Sequence, residues 1–136
     1  MNKTVKKQMS RKIGYPVGDF LIRLKNAVIS GNKEIVVPET KLIKAVSSVL
    51  KKEGYISDIQ SNGKVMTIGL TIRRKEPVLM DVKLVSKPGL RIYMKVDELE
   101  TQRGPFFMIL STPLGIMTAR EAIKKRTGGE VIAKIF

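Results

Sequence analysis

The sequence predicts an α+β protein of two subdomains, and three observations carry that expectation. Two apolar stripes at helical spacing occupy residues 16–30 and 41–53. An Asn62-Gly63 pair lies between two extended apolar runs, a strong short-range hairpin signal. Beyond residue 76 the chain is a series of short extended runs broken by Pro- and Gly-bearing turns, with room for one short helix. The expected order is therefore helix-strand-helix-strand-strand over residues 15–75, then a mostly antiparallel sheet with a short helix over 76–136.

Each element has a local reason. Pro16 suits the first turn of a helix, and Val17, Phe20, Leu21, Leu24 and Val28 recur on one face until Gly31 stops it. Glu34 to Val37 reads as a strand ending at Pro38. Thr40 is an N-cap for a second helix whose stripe is Leu42, Ile43, Ala45, Val46, Val49 and Leu50, and Gly54 ends it. Tyr55 to Gln60 and Val65 to Ile72 form the hairpin. Arg73-Arg74-Lys75-Glu76-Pro77 is charged and proline-terminated, which marks it as the boundary between subdomains. Val78 to Val85 then alternates as a strand, Ser86-Lys87-Pro88-Gly89 is a turn, and Leu90 to Tyr93 is extended again. An acidic turn at Asp97, Glu98 and Glu100 precedes a strand running to Leu110, a short helix over 118–127 and a final strand over Val131 to Phe136.

Composition narrows the function. Twenty-six Lys and Arg stand against twelve Asp and Glu in 136 residues, a formal charge of +14. Every section shares it: residues 1–14 hold five cations and no acid, 15–75 hold eleven against five, and 76–136 hold ten against seven. Such an excess points to a polyanion, with nucleic acid ahead of an anionic membrane surface. Residues 1–14 read as a basic arm, since their few apolar residues are scattered, and no apolar stretch follows as a secretory signal requires. The longest apolar runs are a handful of residues, whereas a membrane span needs about 20.

Cysteine and histidine are both absent. A thiolate nucleophile, a disulfide, a Cys/His zinc site and an imidazole base are therefore excluded. The only dense acidic cluster, Asp97, Glu98 and Glu100, reads as a solvated turn or first helical turn. No phosphate-binding loop, dinucleotide fingerprint or calcium-loop spacing occurs. The expectation is a binding protein without an enzyme activity, a metal or a cofactor.

The candidate site is the run Phe106 to Thr118, where an apolar strand ends at Ser111 and Thr112, a Pro113/Gly115 turn follows, and Thr118 caps a helix. Two small hydroxyls on a rigid edge donate and accept hydrogen bonds at close range, while nearby cations hold phosphates. The bland reading, an ordinary structural turn, uses the same residue types.

Four segments, in order from Pro16 to the end, resemble the bacterial-type small-subunit ribosomal protein eight family. They are Pro16-Val17-Gly18-Asp19-Phe20-Leu21-Ile22-Arg23-Leu24-Lys25-Asn26-Ala27; Val37-Pro38 through Lys41-Leu42 to Glu53-Gly54-Tyr55-Ile56; Ser86 through Tyr93; and Ser111-Thr112-x-x-Gly115-Ile116-Met117-Thr118 with the terminal Gly128-Gly129-Glu130. The resemblance implies a two-part fold and a structural role in the small ribosomal subunit, cytoplasmic or organellar. It implies primary binding of the central domain of small-subunit ribosomal RNA, in support of RNA folding and subunit assembly. The implied partners are that RNA, other small-subunit ribosomal proteins and the protein's own messenger RNA. The alternative from composition alone is a free-standing basic nucleic-acid binder, either an RNA chaperone or a DNA architectural protein.

The resemblance also implies which residues face RNA. Ser111, Thr112, Gly115 and Thr118 match the turn that enters the irregular middle of an RNA hairpin, where splayed bases become reachable. Lys87, Arg91 and Tyr93 match positions toward RNA, as do Arg23 and Asn26 on the first helix, and Glu130 matches a carboxylate that holds the turn in shape. Pro113 stands where the family usually has serine and Leu114 where it often has lysine, so two polar contacts are missing from this turn. Phe106 replaces a common glycine, which predicts altered strand packing.

Overall fold

The computed structural model describes residues 16–136, so the basic arm read over residues 1–14 lies outside the described residues. Helix α1 (Pro16–Ser30) buries Val17, Phe20, Leu21, Leu24 and Ala27, as its stripe requires. Helix α2 (Lys41–Lys52) is capped by the Thr40 hydroxyl, which accepts from the Ile43 N–H at 3.1 Å. Such a cap contributes about 1 kcal/mol. Its buried face is Ile43, Val46, Ser47, Val49 and Leu50; Leu42, expected in the stripe, is exposed instead. Ser47 is tolerated in the core because its hydroxyl donates to the Ile43 carbonyl at 2.7 Å.

Strands β1 (Glu34–Pro38), β2 (Ile56–Ser61) and β3 (Val65–Leu70) form an antiparallel sheet in the order β1-β3-β2. The hairpin turns at Asn62-Gly63, where the Asn62 side-chain oxygen accepts from the N–H groups of Lys64 and Val65. The charged stretch after β3 is folded. It forms a small hairpin of β4 (Ile72–Arg73) and β5 (Glu76–Pro77), closed by Arg74 and Lys75 at φ of 53° and 68°. Positive φ at both central residues is the type I′ turn that matches the strand twist. The sequence signal was hidden because glycine or asparagine usually occupies those two positions.

The second sheet contains β6 (Val82–Leu84), β7 (Tyr93–Met94), β8 (Phe107–Thr112), β9 (Gly115–Thr118) and β10 (Gly129–Ile135), in the order β6-β10-β8-β9 with β7 also paired to β10. Two expected strands are shorter than read. Within Val78 to Val85 only Val82–Leu84 joins the sheet, because Met80 and Asp81 spend their N–H groups on the Phe136 carbonyl. Within Leu90 to Tyr93, residues 90–92 stay in the loop and only Tyr93 enters β7. Helices α3 (Val96–Glu100) and α4 (Ala119–Lys124) cover one face; of the acidic cluster, Asp97 and Glu98 lie in the first turn of α3, which suits the helix dipole, and Glu100 is its last residue.

Two apolar clusters fill the interior. The larger runs from α1, α2 and the first sheet to Leu79, Val82, Ile109, Ala133 and Ile135, so both halves of the chain share it. The smaller joins Leu99, Met108, Leu110, Met117, Ala122 and Val131. Adjacent β8 residues alternate between them: Ile109 belongs to the larger, Met108 and Leu110 to the smaller. Residues 107–110 of the strand are all apolar because both of its faces are covered there. Strand β9 escaped the sequence reading for the same reason, since Ile116 packs on the larger cluster and Met117 lies in the smaller, which erases any polar alternation.

Polar contacts also cross between the halves. Lys25 pairs with Asp81 at 3.5 Å, and Lys52 at the end of α2 pairs with Glu121 in α4 at 3.3 Å. For Glu121, burial raises the pKa, but the hydrogen bond and charge of Lys52, the Thr118 backbone and Lys125 outweigh it and hold the carboxyl below its ordinary value. A depressed folded-state pKa gives stability that is complete above the ordinary carboxylate value and fades as pH falls through the folded one. Glu121→Gln should therefore lower stability slightly at neutral pH and not in strong acid, so that the variant and wild-type unfolding curves converge as pH drops below about 4. A gap that persists undiminished into acid would show that Glu121 acts through packing alone. The pair is largely exposed, and its contribution is at most about 1 kcal/mol.

Candidate nucleic-acid interface

The core strand β8 carries Ser111 and Thr112 out of the apolar interior to the end of the second sheet. Ser111 is in register with Glu130 on β10 and with Ile116 on β9, and Glu130 is in register with Tyr93 on β7. Residues directly opposite in antiparallel strands share a face, so Tyr93, Glu130, Ser111 and Ile116 form one row across four strands. Ile109, two residues before Ser111, belongs to the larger cluster, so the row continues the sheet face that packs on the first half of the molecule. Three residues far apart in sequence are thereby brought side by side.

The two hydroxyls differ in what they do. Thr112 Oγ1 donates to the Gly115 carbonyl at 2.8 Å and accepts from the Leu114 N–H at 3.1 Å, closing the Pro113-Leu114 turn. Gly115 leaves that turn at φ 121°, a conformation open to glycine. The Ser111 hydroxyl makes no hydrogen bond among the described residues, and it is half-buried at the end of the row. Thr112 therefore shapes the turn, and the Ser111 hydroxyl keeps its donor and acceptor sites unused among the described residues. Thr118 is only 4% exposed, and its hydroxyl accepts from the Glu121 N–H at 3.3 Å as the N-cap of α4. Of its two sequence roles the structure supplies the cap; burial closes its side chain to direct contact.

Glu130 does not hold the hydroxyl turn through its carboxylate. That group pairs with Arg91, whose Nη1 donates to Oε2 at 3.1 Å, and the turn is held by Thr112 instead. Arg91 is thus fixed next to the row. Lys87 and Leu90 exchange backbone hydrogen bonds at 2.9 Å around Pro88-Gly89, which leaves the Lys87 side chain exposed on a tight turn. The base of this loop is fastened by Ser86, fully buried, whose Oγ accepts from the Ile92 N–H at 2.9 Å. Tyr93 is 66% exposed and stands at the outer end of the row.

Sequence reasoning did not show why the Gly-Gly pair is needed here. A Cβ on Gly128 would collide with the Met94 carbonyl oxygen, and one on Gly129 with the Ser111 carbonyl oxygen. Strands β7, β10 and β8 approach closely only because both side chains are absent. Arg23 and Asn26 stand outside this group. They are exposed on α1, where Arg23 Nη1 donates to the Val36 carbonyl of β1 at 2.8 Å. The Phe106 ring meets Phe136 at 5.6 Å, and the Lys134 ammonium sits 4.6 Å from its centroid.

Among the described residues no group of His, Cys, Asp and Glu is arranged to hold a metal ion, and no helix is long and apolar enough to cross a membrane. The mixed α+β scaffold presents an exposed tyrosine, unburied cations and a hydroxyl unbonded among the described residues along one sheet end, and comparison with known proteins places the chain among ribosomal proteins. A family model described as Ribosomal protein S8 matches residues 15–136. The small ribosomal subunit protein uS8 of Roseiflexus castenholzii is 38% identical over 127 residues, covering 89% of this chain and 96% of that one. Those of Nitratidesulfovibrio vulgaris strain Miyazaki F (35% over 122 residues; 89% and 97%) and Teredinibacter turnerae (38% over 125 residues; 89% and 96%) are similar. The chain belongs to the ribosomal protein S8 family, a structural class of protein and not an enzyme class.

Proposed function

We propose that this protein is a structural constituent of the small ribosomal subunit, and that it binds the central domain of small-subunit ribosomal RNA through the end of its second sheet. The observation that carries this reading is the row Tyr93, Glu130, Ser111 with Arg91 fixed beside it. An A-form duplex hides its base edges in a deep, narrow groove, so recognition falls on irregular positions where bases splay out. Tyr93 offers a stacking face for such a base. Ser111 offers one donor and two acceptor sites, and Arg91 and Lys87 neutralise phosphates on either side. Thr112, Gly115, Thr118 and Glu130 hold these groups in place, while Arg23 and Asn26 give α1 a polar edge for a further phosphate. Pro113 and Leu114 offer the turn an apolar tip in place of polar contacts; Leu114 is 62% exposed.

The test is equilibrium binding to a ribosomal RNA hairpin with an irregular interior, measured across salt concentrations. Each neutralised phosphate releases counterions, so affinity should fall steeply, with a log-log slope of roughly several units. An affinity that barely moves between low and physiological salt, or that is the same for an uninterrupted RNA duplex as for the irregular hairpin, would remove the reading.

A further inference from the structure

The β4–β5 hairpin holds two cations in a backbone conformation that glycine and asparagine adopt far more easily. Arg74 and Lys75 are the only adjacent pair of non-glycine residues at positive φ among those described. Beside them, Gly31, Asn32, Lys33, Ile72, Lys75 and Pro77 line an open groove of about 520 Å³ between the end of α1 and the hairpin. Lys33, Arg73, Arg74 and Lys75 make no ion pair or side-chain hydrogen bond among the described residues. Even with Glu34 and Glu76 counted, the group keeps two positive charges. Like charges gathered on one exposed turn repel one another, and the phosphates of a polyanion relieve that repulsion.

We propose that this hairpin and groove form a second RNA contact, holding the sugar-phosphate backbone of a segment other than the one met by Ser111. The proposal rests on the RNA-binding reading above and extends it from one point of attachment to two. Phosphates lie between Lys33 and Lys75 and at the Arg74 tip, with the ribose face against Ile72 and Pro77, which line the same groove. No base edge is read there. The contact is independent of sequence and sensitive to salt.

Arg74→Asn combined with Lys75→Gly tests this without endangering the fold, because Asn-Gly is the favoured type I′ pair. The variant should unfold at the same temperature as wild type or higher. It should bind a short RNA hairpin as wild type does. On the whole central-domain RNA it should lose on the order of tenfold in affinity at physiological salt, and its salt slope should fall by about two units. Lys41→Gln with Lys51→Gln, two exposed cations on α2, controls for bulk charge and should lose much less. Wild-type affinity of the hairpin variant on the whole domain, or a loss no greater than that of the control, overturns the second contact and leaves the first standing. A wild-type protein that binds neither RNA overturns both.

Discussion

Replacing Ser111 and Thr112 together by alanine is expected to weaken binding to an RNA hairpin with an irregular interior by roughly 1–3 kcal/mol, the cost of leaving buried polar groups of the RNA without partners. The single variants should divide the effect. Ser111→Ala removes a hydroxyl that has no partner within the described protein, so the loss should fall on RNA affinity with the unfolding curve unmoved. Thr112→Ala removes the two hydrogen bonds that close the Pro113-Leu114 turn, and should lower stability as well as affinity. Against an uninterrupted duplex the double variant should lose little, because splayed bases are absent there. Equal losses on both RNAs would mean that the turn is an ordinary structural loop. Neutralising Lys87 gives the contrast: it should weaken both RNAs alike and reduce the salt slope by about one unit.

Gly129→Ala is expected to destabilise the fold by about 1–3 kcal/mol, because the new methyl group has nowhere to go. It meets the Ser111 carbonyl oxygen and the Thr112 methyl group, so β8 must move away from β10 just where the row is assembled. RNA affinity should therefore drop further than in Ser111→Ala, and denaturant unfolding should show a lower midpoint with an unchanged slope. A variant with wild-type midpoint and wild-type affinity would show that the two strands have room at this position. Gly63, by contrast, lies in the Asn62-Gly63 turn at φ 93° with open space around it, so Gly63→Ala tests backbone conformation without any collision.

Elements whose logic is local were legible from the residues. Both long helices announced themselves through their period, and α2 also through its cap: the Thr40 hydroxyl and the stripe Ile43, Val46, Val49 and Leu50 are within about three turns of each other in the chain. The Asn62-Gly63 hairpin was equally plain. The misreadings fall where partners are distant. The short β6 depends on β10, about fifty residues further on, β9 pairs with its neighbour β8 but packs Ile116 and Met117 on two different clusters, and the Arg74-Lys75 turn depends on tertiary support that overrides residue preference.

The same division runs through the candidate site. Charge, the missing cysteine and histidine, and the hydroxyl run at Ser111-Thr112 were enough to set aside thiol, imidazole and zinc chemistry and to single out the turn, because composition and local turn chemistry need no coordinates. Which hydroxyl is committed and which is available could not be read, since Thr112 is occupied by Gly115 and Leu114 only once the turn has closed. Nor could the partner of Glu130, which lies 39 residues from Arg91 in the chain. By itself the sequence determined the two long helices, the Asn62-Gly63 turn and a strongly cationic character, all of which follow from short-range periodicity, backbone preference and net charge. Only the tertiary structure decided that Tyr93, Glu130 and Ser111 stand in one row with Arg91 beside them, because antiparallel register between distant strands is set by the packing of two cores and by the space that Gly128 and Gly129 leave open.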